Sequence, residues 1–244
     1  MSLTRIDCHV FRGRGASLDT SSFVALNPSH RPGSLVLAGA IAARESIGSQ
    51  VACKLGLEHF VDGVLSYYSE IGDSAQGEGG EISLEVLEAA FRNANSSVYN
   101  FGHKLAAGGR LSASLLGVVL EDKTVAAGRV GEGVVYLFRN GELLPFFEEA
   151  RILKAAESYI GSNSMVSVEL ASIAVNEGDC LIVVPQQLPA EKELLLRERL
   201  HNGVQNTQNP SAEICRCVYE DAFRVPFAMY ARIGPETIYL AEAV

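Results

Sequence analysis

Two segments in the first half of the chain carry the spacing of amphipathic helices. Between Ser46 and Tyr68, apolar residues recur at intervals of three to five positions, which predicts a helix with one buried face. A polar, glycine-rich stretch over 71–82 follows. A second helical pattern starts at Ser83, whose hydroxyl is typical of a helix N-cap. Because the two helices follow each other directly, we expect them to form one layer.

The middle of the chain has the pattern of strands joined by tight turns. Apolar segments occupy 111–120, 124–130, 134–139 and 142–147. Asn140-Gly141 joins the last two, and this pair is typical of a type I′ hairpin turn, which needs a positive φ at both central residues. The pattern therefore predicts an antiparallel meander.

The remaining segments complete an α+β pattern. Strands are predicted within 1–26, at 34–38, 165–170, 172–175, 179–184, 227–233 and 237–241, and helices at 189–201 and 211–223, the last capped by Ser211. No repeat or linker divides the chain. We therefore expect a single α+β domain over 1–244, with antiparallel sheets covered by paired helices.

Composition and charge exclude several classes of function. Twenty Lys and Arg against twenty-nine Asp and Glu leave a net charge of 20 − 29 = −9, which disfavours nucleic-acid and membrane-surface partners. The longest apolar run, 35–43, is too short to span a bilayer. The five scattered cysteines suit reduced thiols, and Met1 to Arg5 lack a secretory pattern, so we expect a cytoplasmic protein.

No motif for catalysis follows from spacing alone. The glycine-rich segment 77–80 lacks the Lys and Ser or Thr of a phosphate-binding loop, and G-x-S-x-G is absent. The carboxylates concentrate on predicted helix faces, where acidic runs are usually solvated. The sequence pattern by itself therefore identifies no active site.

An ordered set of segments resembles the PP2C-type metal-dependent protein phosphatases, including their sporulation-phosphatase branch. The segment 87–95 resembles their A-x-x-x-A-N helix, 130–143 their V-G-D-S and R-x-Y-L-x-R-x-G-x-L strands, and 177–184 their G-D-x-L-L-L-C strand. The resemblance extends over most of the chain. It implies a four-layer α-β-β-α sandwich of two antiparallel sheets flanked by helix pairs. It also implies removal of phosphate from Ser and Thr with Mn²⁺ or Mg²⁺ held by aspartates.

The chain departs from the family where the family places its aspartates. The family's V-A-D-G falls on 36–39, so Ala38 replaces the metal-bridging Asp and Gly39 matches the Gly. Its S-D-G falls on 185–187, which gives Gln186. Its final D-N falls on Val225-Pro226, or on Gly234-Pro235 if 237–241 is the terminal strand.

Two hypotheses follow from these departures. Two divalent ions bring a charge of +4, and hard cations choose anionic oxygen ligands, which Ala38, Gln186 and Val225 do not provide. The first hypothesis is therefore a pseudophosphatase with no metal, no cofactor and no catalytic residue. It would bind another protein, with a phosphoprotein as one candidate, and the edges of its sheets could pair as a homodimer.

The second hypothesis is a metal-dependent Ser/Thr phosphatase with a non-standard site. Glu132 stands at the Asp of V-G-D-S, and Asp19 and Asp179 are the other candidate carboxylates. Arg14, or Arg12, would bind phosphate, Gly39 would keep its family role, and Mn²⁺ or Mg²⁺ would be the cofactor. An unrelated α+β fold is the third interpretation.

Overall fold

The strands and helices follow the order expected from the sequence. The computed structural model describes residues 4–10, 20–31, 33–72, 79–105, 111–121, 123–147, 159–219, 226–234 and 238–240. The strands are β1 Thr4–Val10, β2 Ser21–Leu26, β3 Leu35–Ala42, β4 Ala113–Glu121, β5 Thr124–Val130, β6 Val134–Arg139, β7 Glu142–Pro145, β8 Glu169–Ala174, β9 Cys180–Val184, β10 Phe227–Arg232 and β11 Ile238–Leu240. The helices are α1 Ile47–Ile71, α2 Gly79–Lys104, α3 Ala190–His201 and α4 Pro210–Val218, with a 3₁₀ turn at Val204–Asn206.

The strands form two sheets that pack face to face. One sheet has six strands in the order β11-β1-β10-β9-β6-β7, and the other has five in the order β2-β3-β4-β5-β8. Neighbouring strands are antiparallel except β1 and β11, which are parallel. Helices α1 and α2 cover the five-stranded sheet, and α3 and α4 lie on the six-stranded sheet. The predicted four-layer α-β-β-α sandwich is confirmed.

The three central strands of the five-stranded sheet, β3, β4 and β5, are buried on both faces. On β3, Val36, Ala38, Ala40 and Ala42 face α1 and α2, whereas Leu35 and Leu37 face the other sheet. A strand buried on both faces is apolar at every position, which explains the uninterrupted run seen in the sequence. The predicted strand at 34–38 was too short, because the apolar run continues and β3 extends to Ala42.

The Asn140-Gly141 hairpin is confirmed by its backbone. Asn140 has φ 53° and Gly141 has φ 83°, the two positive angles that a type I′ turn requires.

None of the described helices combines the length and the apolar character needed to cross a membrane.

Three local expectations were wrong. Ser83 is not a cap, because α2 begins at Gly79; Ser83 is buried and its hydroxyl donates to Glu121 of β4 at 3.4 Å. Ser211 lies inside α4, which begins at Pro210. The predicted strands 165–170 and 172–175 are a single strand, β8.

Asp7 of β1 connects the six-stranded sheet to the first turn of α4. One of its carboxylate oxygens accepts hydrogen bonds from the Ser211 backbone N–H at 2.8 Å and from the Ser211 hydroxyl at 2.6 Å. Both residues are buried. The carboxylate therefore satisfies a helix N–H that has no partner inside the helix, and it does so from a distant part of the chain.

We expect Asp7→Ala to lower the free energy of unfolding by about 1–3 kcal/mol, because it leaves a buried helix N–H and a buried hydroxyl without an acceptor. Urea denaturation followed by circular dichroism measures this change. Ser211→Ala is the matched variant: it removes the hydroxyl and keeps the backbone bond, so its loss should be smaller. An equal or larger loss in Ser211→Ala would contradict the proposed role of Asp7.

Candidate functional site

Most of the described positions that the resemblance identifies lie at one end of the sandwich. The turn Gly131-Glu132-Gly133 passes from β5 in one sheet to β6 in the other. Near it, β9 ends at Val184 opposite Val134, and β10 begins at Phe227 opposite Val10, the last residue of β1. We call this the 131–133 end.

The alternation of side chains along β3 determines which residue points between the sheets. Ala38 faces α1 and α2, so a carboxylate at this position would point into the helix layer. Gly39 faces the opposite sheet, where its nearest neighbour is Phe227 of β10. Of the two residues that the resemblance identifies on β3, Gly39 is the one on the face between the sheets. The sequence alone could not show which face of β3 Ala38 takes, because this strand is apolar on both faces.

An aromatic ring fills the space between the sheets at Gly39. A Cβ atom added to Gly39 would lie 2.1 Å from Cζ of Phe227, so the ring occupies the place of a side chain. Phe227 is fully buried, and its ring centroid is 5.7 Å from that of Phe23 on β2. At this point the two sheets are joined by apolar packing.

Arg129 of β5 holds the 131–133 turn from inside the protein. Its guanidinium donates to Oε2 of Glu169 through Nε at 2.9 Å and Nη2 at 2.7 Å, and to the Gly133 carbonyl at 3.2 Å. The same group lies 4.4 Å above the ring of Phe147. Arg129 is almost completely buried, and a buried guanidinium is tolerated only when it is paired in this way. Sequence analysis did not identify this residue.

Glu132 has partners within the protein. Its backbone N–H donates to the Ser114 hydroxyl at 3.2 Å, and its carboxylate accepts a hydrogen bond from the Tyr159 hydroxyl at 2.9 Å. The preceding Gly131 has φ 97°, and a Cβ there would lie 2.3 Å from the Ser114 hydroxyl oxygen. Glycine at 131 therefore lets the turn approach β4, and Glu132 lies where the resemblance places an acid.

The topology favours one of the two predicted positions for the final D-N. β10 lies beside β9 in the centre of the sheet and begins at the 131–133 end, where Gln186 follows β9. Gly234 follows β10 at the opposite end, where the backbone N–H of Gly178 donates to the Ile233 carbonyl at 2.9 Å. The position before β10 therefore matches the site. Val225, Asp19, Arg12 and Arg14 lie outside the described residues.

Asp179, a carboxylate of the second hypothesis, does not lie near Glu132. It precedes β9 at the end of the sandwich opposite the 131–133 turn. It accepts hydrogen bonds from Arg139 Nη2 at 2.6 Å and from the Asn176 backbone N–H at 2.7 Å. These contacts indicate that Asp179 stabilises the turn before β9. Asp179 is therefore not a candidate residue of the site at the 131–133 end.

The thiols are poor nucleophiles. Burial raises the pKa of the Cys8 and Cys215 thiols to about 12, and burial is also the largest cause of the raised pKa at Cys180 and Cys217. Because the thiolate is the reactive form, these four cysteines remain protonated and unreactive near neutral pH. The described residues therefore give no support to a cysteine-dependent hydrolase.

Comparison with known proteins identifies the fold. No protein-family model and no curated protein matches the chain. Among solved structures, a bacterial serine phosphatase matches with TM-score 0.73 at 11% identity, over 95% of this chain and 99% of that one. PppA, a regulatory component of the type VI secretion system of Pseudomonas aeruginosa, matches with TM-score 0.69 at 14% identity, over 95% and 98%. The resemblance noted in the sequence is confirmed at the level of the fold.

One comparison corrects the expectation that no cofactor belongs to this site. The catalytic domain of the serine/threonine phosphatase PstP, solved in complex with two manganese ions, matches with TM-score 0.66 at 15% identity, over 95% of this chain and 99% of that one. A protein of this fold thus binds two ions, and the expectation of none was wrong.

The residues described here do not reproduce a site for two ions. Among them, no three His, Cys, Asp or Glu side chains lie close enough together to hold a metal. At the 131–133 end, Glu132 is bonded to Tyr159, Glu169 is paired with Arg129, and Gly39 is covered by Phe227. This donor set does not fit two divalent cations, so we derive no chemical step through them.

We expect Gly39→Ala to lower the free energy of unfolding by about 1–3 kcal/mol, because the added methyl group collides with the Phe227 ring. Chemical denaturation measures the loss. The double variant Gly39→Ala, Phe227→Leu should recover part of it by removing the ring.

Gly33→Ala is the matched control, because a Cβ there meets nothing within 4 Å. If Gly39→Ala were as stable as Gly33→Ala, the ring could not be filling the space next to residue 39.

Proposed function

We propose that this protein is a PP2C-fold domain without phosphatase activity that acts by binding another protein. The observation that carries the proposal is the contact between Gly39 and Phe227. It packs a buried aromatic ring between the sheets beside Gly39, the residue that matches the glycine of the family's V-A-D-G motif. A hydrolytic site needs an activated water molecule next to the substrate phosphate. A ring packed between the sheets leaves no room for either at this position.

Two further observations support the proposal. Gln186, which follows β9 at the 131–133 end, is an amide where the resemblance implies an aspartate. Glu132, the carboxylate of the turn, is bonded to the Tyr159 hydroxyl of the same chain. The residues that remain at this end thus make contacts within the protein, as expected of a structural rather than a catalytic role.

An active phosphatase is the second candidate function. Glu132 favours it, because this carboxylate lies at the turn where the resemblance implies an acid. The solved structures of similar fold named above include phosphatases. In this case Asp19, Arg14 and Gly39 would complete the site with Mn²⁺ or Mg²⁺. The two candidates differ in whether substrate is turned over, so one assay separates them.

We expect the purified protein to release phosphate from p-nitrophenyl phosphate and from a phosphothreonine peptide no faster than buffer, with Mn²⁺ or Mg²⁺ added at millimolar concentration. Phosphate release is the measurement, and a PP2C phosphatase assayed in parallel shows that the conditions support catalysis. Metal-dependent turnover that falls at least tenfold in Glu132→Gln or Asp19→Ala would establish the second candidate instead.

Two observations support a protein as the partner. The net charge of −9 suits a basic protein surface rather than a nucleic acid or an anionic membrane. The apolar side chains of Ile47, Phe101 and Leu105 are exposed where α1 begins and α2 ends, at the 131–133 end. A phosphoprotein is the partner that a phosphatase fold favours. None of the five cysteines, all of which lie in the described part of the chain, forms a disulfide, and this supports the proposed cytoplasmic location.

A further inference from the structure

The outer edge of β8 is the feature from which we infer a second binding surface. β8 is the last strand of the five-stranded sheet, and β5 pairs with one side of it only. The Val175 N–H donates to the Lys123 carbonyl at 2.7 Å, which makes 175 and 123 a hydrogen-bonded pair. Bonded pairs alternate in an antiparallel ladder. Leu170 and Ser172 therefore direct their N–H and C=O groups away from β5, toward the outside of the sheet.

This edge lacks the devices that usually prevent strands from pairing. Between Met165 and Val175 the one charged residue is Glu169, and Arg129 holds its carboxylate from inside. By contrast, β7 at one edge of the other sheet has only four residues and contains Glu142 and Pro145, and β11 at the opposite edge has three. Charges, proline and short length protect an edge. β8 has six residues and no proline, and its one charged side chain is paired from inside. Arg139 Nη2 donates to the Ala174 carbonyl at 2.7 Å, so the unprotected part of the edge is the segment around Leu170 and Ser172.

A groove lies beside β8 on the side that faces α2. Its volume is about 450 Å³. The lining includes Arg92, Asn95 and Ser96 of α2, together with Met165, Val168 and Leu170 of the β8 segment. Met165 is 84% exposed. A strand added to β8 would place alternate side chains over this groove, because side chains alternate between the two faces of a sheet.

We propose that a second copy of this chain occupies this edge, with the two β8 strands antiparallel across a two-fold axis. The pairing is self-complementary, because each copy supplies the same outward N–H and C=O groups and the same apolar residues. On each rim, Glu88 and Arg92 form an ion pair at 2.6 Å. A two-fold axis allows Glu88 to approach Arg92 of the partner subunit, so the local charge is balanced although each chain carries −9.

The dimer does not depend on the proposed function, since an active phosphatase could form it equally well. Sedimentation equilibrium measures it directly. We expect a mass of about 52 kDa, twice the 26.1 kDa of the chain, at tens of micromolar protein. Amide exchange gives the second readout. Raising the protein concentration should protect the outward amides of Leu170 and Ser172, whereas Ala171 and Ile173, bonded to β5, should be protected throughout.

Two variants test the edge itself. Ser172→Pro removes an outward N–H and keeps the bonds to β5, and Ala174→Lys adds a charge at an exposed edge position. Each should weaken dimerisation at least tenfold. Ser66→Lys on the exposed face of α1 is the control of equal charge and should leave dimerisation unchanged. A monomer at about 100 μM, or a dimer that both edge variants leave intact, would overturn the proposal.

Discussion

The close approach of β3 to β10 is the constraint on which the rest of the structure depends. Residue 39 must be glycine because the Phe227 ring lies where its side chain would be, and the ring is buried because two sheets close over it. Apolar area removed from water here contributes to the stability of both sheets together. The same contact fills the space between the sheets beside Gly39 with apolar atoms. This one packing interaction therefore stabilises the sandwich and also takes up space between the sheets near the 131–133 end.

Arg129 shows how a charge can serve the fold in an apolar interior. Its guanidinium is bonded to Glu169 and to the Gly133 carbonyl, so it connects β8, β5 and the turn between the sheets. Removing only one member of such a buried pair leaves an uncompensated charge, which is strongly destabilising. The pair also neutralises the one charged residue of β8. The same Arg129 side chain therefore stabilises the turn and pairs with the one charged side chain of β8.

The sequence predicted most elements because their signals are local. Periodic apolar residues marked α1, and Asn140-Gly141 marked its hairpin, since the required positive φ angles depend on those two residues alone. Both failed cap predictions involve partners that are distant in sequence. Ser211 has the chemistry of a cap, but its hydroxyl is bonded to Asp7, 204 residues earlier in the chain. For β3, an apolar strand gives no signal of which face each residue takes. The assignment of individual side chains to a site therefore stays a prediction.

The likeness to phosphatases at 11–15% identity illustrates which residues specify a fold and which specify catalysis. Layers are determined by many apolar positions and a few turns, each contributing modestly, so the sandwich tolerates replacement of almost any single one. Catalysis by a metal site depends instead on a few carboxylates in exact positions, and these are not needed for the layers to pack. Between Gly39 and Phe227, an aromatic ring adds to the apolar area buried between the sheets. Packing of this kind stabilises both sheets and requires no polar ligand at this position.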